Sequence, residues 1–114
     1  MRTIAIRMSQ AYGAAPLDTL VFDANRFEET IRWTRIVAVL HEDHARMITL
    51  FFRAGTTDIM IKQETPANAR DSVQSESDIY VSGQYRIGMR VTNGDNGSIM
   101  ELSAFGIVED PVTV

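Results

Sequence analysis

A chain of 114 residues, 45% hydrophobic and 23% charged, has the balance of one ordinary globular domain, which excludes wholesale disorder, a collagen repeat or a coiled-coil rod. It contains no cysteine, so a disulfide framework, a thiolate nucleophile, Cys-ligated zinc and an iron–sulfur cluster are excluded. A net charge of −4 offers no attraction to a phosphate backbone, and no run approaches the roughly 18 apolar residues of a membrane helix, so neither nucleic acid nor membrane is expected as a partner.

The chain opens with Met1-Arg2-Thr3-Ile4-Ala5-Ile6-Arg7, where Arg7, Ser9 and Gln10 cut short any apolar region of a secretory signal; none is expected. Thr3 to Met8 alternates, with Ile4, Ile6 and Met8 on one side, and predicts a strand. Tyr12 to Pro16 reads as a loop, residues 19–22 as a short apolar strand, and Asp23 to Glu29 as a helical turn capped by Asp23 or Asn25. Residues 30–40 carry Ile31, Trp33, Ile36, Val37, Val39 and Leu40, the β-branched and aromatic composition of a strand. Trp33, in phase with Ile31, is expected to anchor the core. The polar turn His41-Glu42-Asp43-His44 follows, then strands over 46–53 and 58–62 around Ala54-Gly55-Thr56-Thr57. Short links between three strands predict an antiparallel meander.

From residue 63 to 78 apolar residues nearly vanish. The stretch predicts a long polar crossover with one helical turn near Ala67 to Arg70. The clearest alternation comes next: Tyr85, Ile87, Met89 and Val91 share one face, Gln84, Arg86, Arg90 and Thr92 the other. Asn93-Gly94-Asp95-Asn96-Gly97 supplies residues that tolerate positive φ, and residues 98–108 resume an apolar-rich strand, so a β-hairpin is expected here. Pro111 cannot donate to a ladder, which makes 109–114 an extended C-terminal arm. Seven to eight short strands with turn chemistry between them predict an all-β, antiparallel β-sandwich, jelly-roll or Ig-like, in a single domain spanning 1–114.

Chemistry-bearing clusters are few. His41 and His44 are the only histidines, three apart in a turn rather than four apart on a helix; a turn that gathers His41, Asp43 and His44 around an ion is set against a plain solvated turn. The 93–98 loop has calcium-type oxygen ligands without the spaced acids of an EF-hand, and a hairpin loop accounts for its residues equally well. No nucleophile elbow, phosphate loop or dinucleotide fingerprint occurs. No catalytic set, metal or cofactor is therefore expected, and the chain is not read as an enzyme. Ten arginines stand against one lysine, a bias that suits planar, bidentate contacts across interfaces as well as a GC-rich gene.

The strands around Arg32–Lys62 and Tyr80–Val108, the polar crossover and the extended tail, in an acidic chain free of cysteine, resemble the small β-sandwich accessory proteins of bacteriophage virions, of the capsid decoration or cement type. The resemblance implies a non-enzymatic protein that joins the virion during assembly in the host cytoplasm and strengthens the shell. It implies a homo-oligomer, most often a trimer, partnered by the major capsid protein or other virion subunits. Contact candidates are Arg32, Arg35, Arg86 and Arg90 on strand faces, Glu64 and Arg70 in the crossover, and Pro111 and Val112 in the tail. The alternative is a ligand- or carbohydrate-binding module of receptor-binding or adhesion type, which would use exposed aromatics, here Tyr12, Phe27 and Tyr80.

Overall fold

The computed structural model describes residues 2–13, 17–23, 30–82 and 85–109, and every regular element among them is a β-strand. In chain order these are β1 (Arg2–Ala11), β2 (Leu17–Asp23), β3 (Thr30–His41), β4 (Met47–Ala54), β5 (Thr57–Glu64), β6 (Val73–Gln74), β7 (Ile79–Ser82), β8 (Arg86–Thr92) and β9 (Ile99–Glu109). They build two antiparallel sheets packed as a sandwich. Sheet A runs β1-β9-β3, with the two short strands β6 and β7 both paired to the far side of β3; sheet B runs β2-β8-β4-β5.

Counting β6 and β7 as two pieces of one strand leaves eight positions. Their pairings then nest: β4 with β5, β3 with β6/β7, β2 with β8 and β1 with β9. The chain is an antiparallel ribbon folded in half at Gly55 and rolled up, the β3–β9 and β4–β8 pairings joining successive layers of the roll. That is the double-sheet order of a jelly roll. It decides between the two sandwiches the sequence left open.

The rolling corrects two local expectations. Residues 84–108 do not form a hairpin, since β8 lies in sheet B and β9 in sheet A, and the turn between them crosses the sandwich. The link 42–46 likewise carries the chain from β3 in sheet A to β4 in sheet B, so the expected meander reduces to one true hairpin, β4–β5. Alternating hydrophobicity reports which face of a strand is wet and not which strand lies beside it. The crossover is also less bare than its composition suggests. Val73 is fully buried in β6 on the edge of β3, and the expected helical turn is a non-helical turn closed by Asp71 N–H donating to Asn68 O at 3.3 Å. Glu109, expected in the arm, instead pairs with Thr30 in the sheet; the rest of the expected arm, 110–114, lies outside the described residues, as do residues 24–29 of the expected helical turn.

The core forms between the sheets from Ile31, Trp33, Ile36, Ala38 and Leu40 of β3, Met100, Leu102 and Ala104 of β9, and Ile48, Leu50, Phe52, Ile87, Met89 and Val91 of sheet B. Strand parity alone cannot put both Trp33 and Ile36 inside. A β-bulge between Trp33 and Arg35 resets it, leaving Thr34 and Arg35 exposed in succession. The bulge also interrupts the neighbour on the other side, which is why β6 and β7 are separate. In the gap, the Ser75 hydroxyl accepts from Ile36 N–H at 2.9 Å while Ser75 N–H donates to Ile36 O at 2.9 Å. Ser75→Ala leaves the amide of fully buried Ile36 without its acceptor and is expected to cost about 1–3 kcal/mol in urea unfolding, whereas Ser75→Thr keeps most of it.

Candidate functional site

Apolar side chains are left in water on the outer face of sheet A, and also at Ile59 and Met60 of β5 in sheet B. Phe105 and Ile99 are each 41% exposed on β9, and Tyr80 on β7 is 65% exposed. Val37, Val39 and Ile107, half-buried, lie between them, and Ala5 of β1 sits directly across from Phe105. Ion pairs are interleaved with these apolar residues. Arg7 reaches Glu101 at 2.9 Å, with His41 3.4 Å from the same carboxylate oxygen; Arg32 reaches Glu109 at 3.1 Å and Asp78 at 3.3 Å. The hydrogen bond from Arg7 holds the Glu101 carboxyl below its usual range, with His41 adding less. Arg35 donates to the Gln74 side chain at 3.2 Å. Two of the expected contact residues, Arg32 and Arg35, thus lie on β3 within this face, Arg32 between Ile107 and Tyr80 and Arg35 across from Phe105.

The other two, Arg86 and Arg90, lie on the opposite side of the molecule, on the outer face of sheet B. That face contains an aromatic ring which sequence reasoning missed. Phe51 points away from the core yet is 1% exposed, because its ring lies flat over Gly88. The Arg90 and Arg53 guanidinium carbons stand 4.9 and 5.3 Å from the ring centroid, within cation–π range. Both arginines are held by Asp58: Arg53 Nε at 2.7 Å from Oδ1 and Arg90 Nη2 at 2.7 Å from Oδ2. These bonds, from Arg53 first and Arg90 second, bring the Asp58 carboxyl down to about 2. A shallow hollow of about 470 Å³ adjoins the cluster, between Met47, Thr49, Met60, Gln63 and Thr92. The consecutive Phe51-Phe52 pair was the available signal, since in a strand one of two adjacent aromatics must face outward.

The two clusters weighed for metal binding meet in space. The 42–46 link and the 93–98 loop lie together at one end of the sandwich, where Glu42, His44 and Asp95 bring ligand atoms within 4.8 Å of one another. Arg46 already bridges two of the three, 3.4 Å from the Glu42 carboxylate and 3.2 Å from that of Asp95, and Asp95 N–H donates to Glu42 at 3.3 Å. His41 and Asp43 point elsewhere, to Glu101 and to Arg70. The trio His41, Asp43 and His44 is therefore not assembled. Arg70, in left-handed conformation at φ 67°, pairs with Asp43 at 2.8 Å, and Glu64 closes β5 with Lys62 at 3.2 Å. Pro111, Val112 and Phe27 fall outside the described residues. Tyr12, one of the three aromatics of the ligand-binding alternative, is 1% exposed beneath the 93–98 loop, its ring against Gly94; Tyr80 is open to solvent.

No family model matches the chain, and no curated protein matches it. Among solved structures it is similar to a chain in the structure of infectious bursal disease virus, Gx strain, at 13% identity and a TM-score of 0.49 over 94% of its own length and 32% of that chain. A chain of the Gt strain of the same virus gives 15% identity and a TM-score of 0.37, over 92% and 30%. The protein spans about a third of the length of these chains. Its jelly-roll order rests on the strand pairings alone.

Two outcomes follow from the Phe51 cluster. A Cβ at position 88 would meet three ring carbons of Phe51 within 2.9 Å, so Gly88→Ala is expected to destabilise by about 1–3 kcal/mol in chemical denaturation. Asp58 has a folded value near 2 against 3.8 unfolded, so its contribution is complete above 3.8 and disappears as the pH falls through 2. The stability gap between the native chain and Asp58→Asn should accordingly be widest at neutral pH and close towards pH 2.

Proposed function

We propose that this protein is a non-enzymatic virion structural protein, a capsid decoration or cement subunit that strengthens a shell through protein–protein contacts. The observation that carries the reading is the outer face of sheet A, where the exposed Phe105, Ile99 and Tyr80 are interleaved with ion-paired arginines and acids. Exposed aromatic and apolar side chains mixed with arginine are the composition in which protein interfaces are enriched. The jelly roll adds support, because virus shells are among its commonest settings, though lectin domains use it too and fold does not fix function.

The mechanism is linkage. A subunit that binds the closed shell better than the opened one stabilises the closed form in proportion to its occupancy. Bridging two neighbours needs two patches of about 800 Å² each; the molecule exposes 6590 Å², so both fit. The partners are the major capsid protein or another virion subunit, and the protein resides in the virion after assembly in the host cytoplasm. Arg32 and Arg35 supply polar groups that fix register on sheet A, and Arg86 and Arg90 belong to the second patch on sheet B.

Virus-sized particles purified from the native source test this directly. Quantitative mass spectrometry is expected to find the chain at a fixed copy ratio to the shell protein. A tagged Phe105→Asp chain, folded by circular dichroism, is expected to be depleted from those particles at least about tenfold, since it buries an unpaired charge in the contact. Absence of the native chain from particles, or incorporation of Phe105→Asp at the native ratio, contradicts the proposal.

A further inference from the structure

The four sheet edges are not alike. The β5 edge carries a bulge opposite Leu50 and Phe51, and its Lys62 is tied to Glu76 at 2.8 Å. The β6 and β7 edge is broken into pieces of two and four residues. On β2 the inward register position beside Leu20 holds a charge, Asp18, which accepts from Gly13 N–H at 2.7 Å. Bulges, shortness, edge lysines and inward charges are the devices by which proteins prevent strands from adding to a sheet.

Between Thr3 and Ala11 β1 has no bulge, no lysine and no inward charge, and its one charge there, Arg7, faces outward and is paired with Glu101. All ten of its residues pair with β9 in unbroken register, and among the described residues no strand pairs with its other side. Its inward positions Ile4, Ile6 and Met8 are only partly covered, Met8 being 37% exposed. A regular, partly apolar edge of this length is a template for another strand.

We propose that the β1 edge pairs with β1 of a second copy about a two-fold axis at Ile6, giving a continuous sheet through both molecules. Symmetry makes the chain its own best occupant. Antiparallel strands related by a two-fold normal to the sheet keep their inner faces on the same side, so Ile4, Ile6 and Met8 of both copies meet. Centred on Ile6, Ile4 faces the second Met8, Ile6 faces itself, Arg2 faces Gln10 and Arg7 faces Ala5. Centring on Arg7 would oppose two arginines directly, which disfavours that register. In the Ile6 register Arg7 keeps its Glu101 partner on the outer face. This inference goes beyond the virion reading and does not need it; particle incorporation and edge pairing fail separately. A two-fold edge contact also builds pairs, not the trimers implied by the phage resemblance.

The test is solution mass by analytical ultracentrifugation over a dilution series, together with a cross-link. The native chain is expected to approach twice its 12.8 kDa at high concentration. Met8→Lys places an inward charge on the edge at two symmetric sites and is expected to weaken the pair at least about tenfold. Because the chain has no cysteine, a single Ile6→Cys is expected to form an intermolecular disulfide under mild oxidation, its two Cα atoms being about 4.5–5.5 Å apart. Ser9→Cys, far from its symmetry mate in the same register, is expected not to. A monomer at all concentrations, a trimer indifferent to Met8→Lys, or equal cross-linking of Ile6→Cys and Ser9→Cys would each overturn the proposal. If Met8→Lys fails to fold, the cysteine pair decides alone.

Discussion

The architecture depends on one turn and the symmetry it imposes. At Ala54–Thr57 the chain doubles back through Gly55, which sits at φ 62° where a side chain would be strained. From there each strand on the N-terminal side has its partner at the matching place on the C-terminal side, out to β1 against β9. The two ends of the sequence are thereby placed side by side, and the strand that starts the chain becomes an edge. The open β1 edge is a consequence of the topology: β9 has β3 on one side and β1 on the other, and no other described strand pairs with β1.

A second constraint, inside the ribbon, decides what faces outward. The bulge at Thr34 and Arg35 shifts β3 by one residue, so that Ile31 and Trp33 before it and Ile36, Ala38 and Leu40 after it all enter the core. The same shift puts Val37 and Val39 on the wet side that Phe105 also faces, and breaks the neighbouring strand into β6 and β7. Thr34 Oγ1 donates to Phe105 O at 3.1 Å, tying the bulge to the middle of the proposed contact face. Core and surface are therefore set by one local irregularity, with Ser75 supplying the hydrogen bonds it would otherwise leave unmet.

Face assignment was legible in the sequence because it is a local property. The inward Ile4, Ile6 and Met8 of β1, the inward Ile87, Met89 and Val91 of β8, and the buried Trp33 follow from period-two alternation alone. Partnership was not legible, because a turn that joins two strands of one sheet and a turn that crosses between sheets use the same Gly and Asn chemistry. The 93–97 cluster looked like a hairpin loop; it instead covers Tyr12 and meets the Glu42 turn, contacts between segments about fifty or more residues apart in sequence. The same limit hid the shielding of Phe51, which requires Gly88 below it and arginines from two different strands above it. It also hid Val73, the one branched aliphatic residue in a polar stretch, which is buried because β6 pairs with β3 at the core.

The two proposed surfaces share an origin in this roll: a sheet A face left apolar by the β3 shift and a sheet A edge left open by the position of β1. The edge is the more exacting claim, since it names the occupant and the register. Hydrogen–deuterium exchange of the β1 amides, followed across a concentration series, measures it most directly. The account predicts that the β1 amides facing away from β9 gain protection as concentration rises, while those of β5, at the blunted edge of sheet B, do not change. Rapid exchange of the outward β1 amides at every concentration, or protection that grows on β5 instead, would contradict it.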